Sequence, residues 1–252
     1  MQKRNAEIKN KIKKQYAKIA LGGSSCCMPG ECCTSSPSDA AQSVGYDSHD
    51  LRSIPEDSIL GAGCGAPLNF ADIKKGETVV DLGSGAGIDV FLSANKVGKD
   101  GRVIGIDMTD EMLQRAKKNA SEYGYTNVEF RKGDIEQEIP VDDNSVDLVV
   151  SNCVVNLTSS KGNAFQQVHR ILKKGGRLAI SDLVSDKEIA AGKVDADRWC
   201  SCLDGALTKE HYLETIRKAG FKHVEILQER PYTDGDHVDG RKITSLVIKA
   251  VK

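Results

Sequence analysis

The 252 residues contain no apolar run near the roughly 18 residues needed to cross a bilayer, which argues against a membrane-spanning protein. There is no surplus of positive charge either. Lys+Arg number 35 against Asp+Glu 36, a formal net charge of -1, where a nucleic-acid binder would carry a basic excess. The first 20 residues are Lys-rich and lack the apolar stretch of a secretory signal, so a cytoplasmic chain is expected. Ile8, Ile12, Tyr16 and Ile19 form a stripe among those lysines, which predicts an amphipathic helix over 3–20. The stripe is narrow and has no Trp or Phe, so packing on the main domain is favoured over a membrane surface. With 39% hydrophobic and 28% charged residues, the composition is that of an ordinary soluble domain with extensions.

Cysteine, in contrast, is plentiful. Eight cysteines in a chain this long are too sparse for a secreted disulfide scaffold. In a reducing compartment they point to thiol chemistry or soft-ion binding, with small buried hydrophobes as the plainer alternative. Four of them, Cys26-Cys27 and Cys32-Cys33, fall in a Gly-, Ser- and Pro-rich stretch over 22–45 that reads as a mobile loop. Their spacing does not match the usual zinc patterns.

From Gly76 onward the pattern alternates. Strands are predicted at 77–82, 102–107, 127–132, 146–151 and 177–182. Helices are predicted near 87–97, 110–123 and 163–173, the last ending at Gly175-Gly176. After a helix near 208–219, two late strands near 222–229 and 243–250 suggest an antiparallel pair at one edge. The expected fold is α/β and Rossmann-like: a mostly parallel seven-stranded sheet with helices on both faces, plus an N-terminal extension. We divide it into residues 1–69, carrying the helix and Cys-rich loop, and a main domain over 70–252.

The first turn reads Asp81-Leu82-Gly83-Ser84-Gly85-Ala86-Gly87, and its glycines allow a strand to turn sharply into a helix close to a ligand. Asp107 ends the second strand, where a carboxylate can accept from ribose hydroxyls, and Asp134 ends the third, followed by Ile135. This array resembles class I S-adenosylmethionine methyltransferases over about residues 70–182. The resemblance implies S-adenosylmethionine as cofactor, with the Gly83, Ser84, Gly85 and Gly87 turn beside Asp81 at its methionine end and Asp107 at the ribose. It also implies Met108 against the adenine ring, and Asp134 with Ile135 at the adenine edge. Asn152, at the end of the fourth strand, joins this set.

That fourth strand runs into Ser151-Asn152-Cys153-Val154-Val155-Asn156-Leu157, so a thiol stands where the transferred methyl should arrive. No general base is evident in the sequence. Cys64 lies between glycines in Gly61-Ala62-Gly63-Cys64-Gly65, and Cys202 lies in Trp199-Cys200-Ser201-Cys202-Leu203-Asp204-Gly205-Ala206-Leu207. These three contexts together resemble arsenite methyltransferases over about residues 60–207. The resemblance implies methylation of trivalent arsenic as a detoxification reaction, with the arsenic held by Cys64, Cys153 and Cys202. Soft ions select thiolates, and a three-sulfur pyramid leaves a lone pair for attack, so no base is required. A thiol reductant such as glutathione or thioredoxin is implied between rounds, with neither nucleic acid nor membrane as partner. Cys26, Cys27, Cys32 and Cys33 would capture or hand over arsenic; Cys200 has an auxiliary or structural role. Many members of this family are longer at the C-terminus. Two other readings stay open: a class I methyltransferase acting on a small organic acceptor such as a quinone precursor or sterol, and a non-catalytic arsenic-binding protein.

Overall fold

The computed structural model describes residues 2–22, 36–190, 192–232 and 240–252. The expectations for Cys26, Cys27, Cys32 and Cys33 lie outside these residues. The chain begins with helices α1 (Gln2–Ala20), α2 (Pro37–Ser43) and α3 (Ser48–Arg52). It then alternates through β1 (Thr78–Leu82), α4 (Ile88–Val97), β2 (Arg102–Asp107), α5 (Asp110–Glu122), β3 (Val128–Lys132) and β4 (Val146–Asn152). The rest comprises α6 (Lys161–Ile171), β5 (Leu172–Ser185), α7 (Ala196–Cys200), α8 (Lys209–Lys218), β6 (Lys222–Pro231) and β7 (Ile243–Val251). None of the described helices is long and apolar enough to cross a membrane.

The strands form one seven-stranded sheet in the order β3-β2-β1-β4-β5-β7-β6. The first five strands run parallel; β7 is antiparallel to both neighbours, which makes the expected antiparallel pair at one edge. Both sheet faces are covered, so the central strands are apolar throughout rather than alternating: Val79, Val80 and Leu82 are all fully buried. Helix α5 shows the complementary helical logic. Met112, Leu113, Ala116 and Ala120 bury one face, Asp110 and Glu111 sit at its positive end, and Gly124, at φ +71°, ends it.

From β1 the chain builds outward to β2 and β3 on one side, then returns to lay β4 and β5 on the other. The strand order reverses between β1 and β4, and in open sheets of this kind a crevice opens there at the carboxyl ends of the strands.

Two local expectations are corrected. The sixth helix stops at Ile171, and residues 172–185 form a single strand. The pair Gly175-Gly176 does not end the helix. Gly175 takes φ +78° inside β5, where its pairing with β4 shifts register between Val146 and Leu148. Within the stretch read as a loop, residues 37–43 are helical. Ser36 and Asp39 form a reciprocal capping box and Pro37 occupies the first turn, a start signal hidden in a Gly/Ser/Pro-rich composition.

Candidate active site

One cavity opens at the β1/β4 switch point. Asp81, Gly83, Ser84 and Gly85 line it from the first turn, Asp107 and Met108 from the end of β2, and Asp134 and Ile135 from the end of β3. Asn152, Cys153 and Cys202 also line it. Gly87 stands apart. It caps α4 at φ +104°, and a Cβ there would lie 2.6 Å from the Phe91 ring, so the turn's packing on the helix requires glycine at this position. At Gly83 a Cβ would lie 2.5 Å from Val154, which ties the turn closely to the segment after β4.

Three carboxylates gather at this cavity with no lysine or arginine bonded to any of them among the described residues: Asp81, Asp89 and Asp107. Burial, together with the charges of Asp89 and Asp107, holds the Asp81 carboxyl well above the ordinary carboxylate range. Burial also pushes Asp89 up to about 6, against hydrogen bonds that favour its charged form. The Tyr46 hydroxyl donates to both Asp89 oxygens, at 2.8 and 2.9 Å. Asp107 is raised by burial, while Gly85 N (3.0 Å) and Thr109 N (2.8 Å) each donate to it and fix its orientation. Ser84 Oγ is buried without a partner among the described residues. Such a site suits a ligand that brings positive charge and hydrogen-bond donors, and S-adenosylmethionine brings a sulfonium, an ammonium and a ribose diol. Tyr46 and Asp89 were not singled out from the sequence; only Asp89's place at the start of α4 would have drawn attention to it.

The three cysteines that are distant along the chain converge beside this cavity. Cys64 is fully buried in the segment before β1. Its backbone N donates to Asn152 Oδ1 at 3.1 Å, and its Sγ lies 3.5 Å from Ser181 Oγ. The flanking glycines are steric necessities. A Cβ on Gly65 would lie 2.1 Å from Ser181 Oγ, and one on Gly63 would lie 2.9 Å from the Asn152 amide. Cys153 follows β4 at φ +58°, with its N–H on Ser181 O at 2.8 Å. Cys202 follows α7 at φ +66° and its thiol donates to Cys153 O at 3.0 Å. The Cys202 and Cys64 thiols and burial push the Cys153 thiol well above its usual value. Asn152 lines the cavity, but its amide is occupied with the Cys64 segment: Nδ2 donates to Gly65 O at 2.6 Å and to Tyr46 Oη at 2.8 Å.

Cys200 is buried in a different setting, against Ile8 and Ile12 of α1, and burial pushes its thiol up to about 11. Asp182, also missed in the sequence, is central. Its carboxylate and the sulfurs of Cys64 and Cys153 all lie within 4.8 Å of one another. Burial pushes its carboxyl up to about 7, against hydrogen bonds from Tyr212 Oη (2.9 Å), Asn156 N (3.0 Å) and Leu183 N (3.1 Å), and the charge of Lys161. Burial in turn brings Lys161 down to about 8, and its Nζ lies 5.6 Å from the Trp199 ring centroid. The signal for Asp182 was its place near the carboxyl end of β5, where open sheets put their ligands.

Residues 73–220 match the family model described as a methyltransferase domain. With the sheet order and the cavity, this match defines an S-adenosylmethionine-dependent methyltransferase. The arsenite methyltransferase of Halobacterium salinarum is 40% identical over 98% of this chain and 67% of its own length. That of Aquipseudomonas alcaligenes is 33% identical over 92% of this chain, again 67% of its own length. The solved arsenic(III) S-adenosylmethionine methyltransferase of Chlamydomonas reinhardtii superposes with a TM-score of 0.65 at 28% identity, over 86% of this chain and 74% of that one. The chain belongs to the arsenite methyltransferase family.

Proposed function

We propose that the protein methylates trivalent arsenic, held by the thiolates of Cys64, Cys153 and Cys202, with S-adenosylmethionine as methyl donor. The observation that carries this reading is that the Cys153 thiol, at the rim of the cofactor cavity, interacts with the thiols of both Cys202 and Cys64. Capture is proton-neutral overall: each thiol loses its proton, each arsenic hydroxyl departs with one as water, and three As–S bonds replace three As–O bonds.

S-adenosylmethionine, when bound, supplies an electrophilic methyl on a sulfonium. Asp107 and the Gly83–Gly85 turn hold the donor, and Cys153 places the arsenic beside it. A three-coordinate arsenic carries its own lone pair, so the residues here need only orient and exclude water. Positioning of this kind lowers a barrier by up to roughly 7–11 kcal/mol. Return of the product arsenic to the trivalent state requires an outside thiol reductant, of the glutathione or thioredoxin class.

Arsenic speciation after incubation with arsenite, S-adenosylmethionine and a thiol is the direct test. Methylated arsenic is expected from the native chain, with a loss of at least 100-fold in rate for Cys153→Ser and little change in S-adenosylhomocysteine affinity. If no methylated arsenic forms, or if Cys153→Ser keeps its rate, the arsenic assignment falls while the cofactor assignment stands.

A further inference from the structure

Helix α1 lies far in sequence from every strand, yet it lines the same cavity as the glycine turn. Lys9, Ile12 and Tyr16 are part of the lining. Its first half packs Ile8 and Ile12 into a cluster with Cys200, Trp199 and Met108. Its last turn packs Ile19 and Ala20 on Met112, and Arg115 Nη1 donates to Ala20 O at 3.0 Å. The helix therefore bridges α7 on one rim and α5 on the other.

Lys9 distinguishes this helix from simple packing. A lysine on a structural helix keeps its ammonium in water. Lys9 instead turns inward: its Nζ donates to Asp134 Oδ2 at 2.7 Å and pairs with Glu136, whose side chain is only 7% exposed. Asp134 is the residue assigned to the adenine edge. Ser159 Oγ and Ser160 N also donate to Glu136, and Glu136 N donates to Asp134 Oδ1 at 3.3 Å, so both acids are held by contacts other than Lys9. An isolated 19-residue helix with this many lysines is marginal in water, so its stability comes from docking its apolar stripe.

We propose that α1 is the outer wall of the S-adenosylmethionine site and that Lys9, through Asp134 and Glu136, latches it across the bound adenosine. This rests on the cofactor assignment and is independent of arsenic. The helix docks on two rims and one ion pair, so release of the latch is the step that frees the cofactor to exchange. The adenine edge and the helix share one carboxylate, so weakening either contact weakens the other.

The test uses the full chain and S-adenosylhomocysteine, by calorimetry and by hydrogen exchange. Lys9→Ala and Ile12→Asp are expected to weaken binding roughly tenfold, as expected for loss of a partly buried charge or apolar contact. Lys9→Arg, which keeps the charge, holds affinity within about twofold, as does Lys14→Ala on the exposed side of the helix. Amide protection over residues 5–20 rises when the ligand binds the native chain, and does not rise in Lys9→Ala. Native affinity in both Lys9→Ala and Ile12→Asp, or equal protection of residues 5–20 with and without ligand, would overturn the proposal. So would equal losses in Lys9→Arg and Lys9→Ala. A native chain that binds no S-adenosylhomocysteine removes the proposal together with the cofactor assignment, whereas failure of the arsenic assay leaves it intact.

Discussion

Asp89 shows how a single residue carries the character of the pocket. Its carboxyl is buried against the Tyr46 hydroxyl, near Asp81 and within reach of Lys96, and sits at about 6 in the fold against about 4 for an unfolded chain. Between those two values the native state holds more protons than the unfolded one, so this residue's contribution to stability falls as pH rises through the window. The difference is on the order of 3 kcal/mol at full ionisation. Asp89→Asn keeps an acceptor for Tyr46 and removes the charge. Its melting temperature relative to the native chain is therefore expected to climb from pH 4 to pH 7 in the absence of cofactor. A flat difference across that range would show that Asp89 ionises normally.

At the scale of elements, the late antiparallel strands brace the segments that carry Cys64 and Cys202. Arg230 of β6 and Ser245 of β7 both donate to Cys64 O, at 2.9 and 2.5 Å. Arg241, just before β7, donates to Leu203 O at 3.2 Å and to Asp204 at 2.6 Å, beside Cys202. Arg241 and Asp204 are almost completely buried, and Arg198 shares the same carboxylate. Leaving a buried charge wholly unpaired costs about 3–5 kcal/mol, but Arg198 still pairs with Asp204 when Arg241 is removed. Arg241→Met is therefore expected to lose stability by less than that in urea unfolding; a variant as stable as the native chain would contradict it. None of this bracing was legible in the sequence. Arg241 and Arg230 read as ordinary late charges, because their partners lie 37 and 166 residues away. The strand and helix alternation was legible because hydrophobic period is local. The boundary at 171–176 was not, since a glycine pair signals a helix end and a strand irregularity equally well.

For the whole molecule, the residues proposed from the sequence as cofactor ligands stand at successive strand ends, and among the described ones all but Gly87 line a single cavity, with Cys153 and Cys202 beside them; Cys64 is not part of its lining. Asp182, Lys161 and Tyr212 escaped notice because their significance is burial and mutual contact, which no spacing encodes. The role of α1 escaped for the same reason: its stripe announced packing, but not against what. The gathering of Asp81, Asp89 and Asp107 has a consequence for turnover. These acids repel one another, and a cationic donor bound beside them would relieve that repulsion. A neutral thioether in its place would leave the repulsion unrelieved. The charged donor should therefore bind more tightly than the spent thioether, by an amount that shrinks in Asp89→Asn. Direct titration with the two compounds would reveal it, and equal affinities would refute it. The same acids that favour a cationic donor would then disfavour what is left of it.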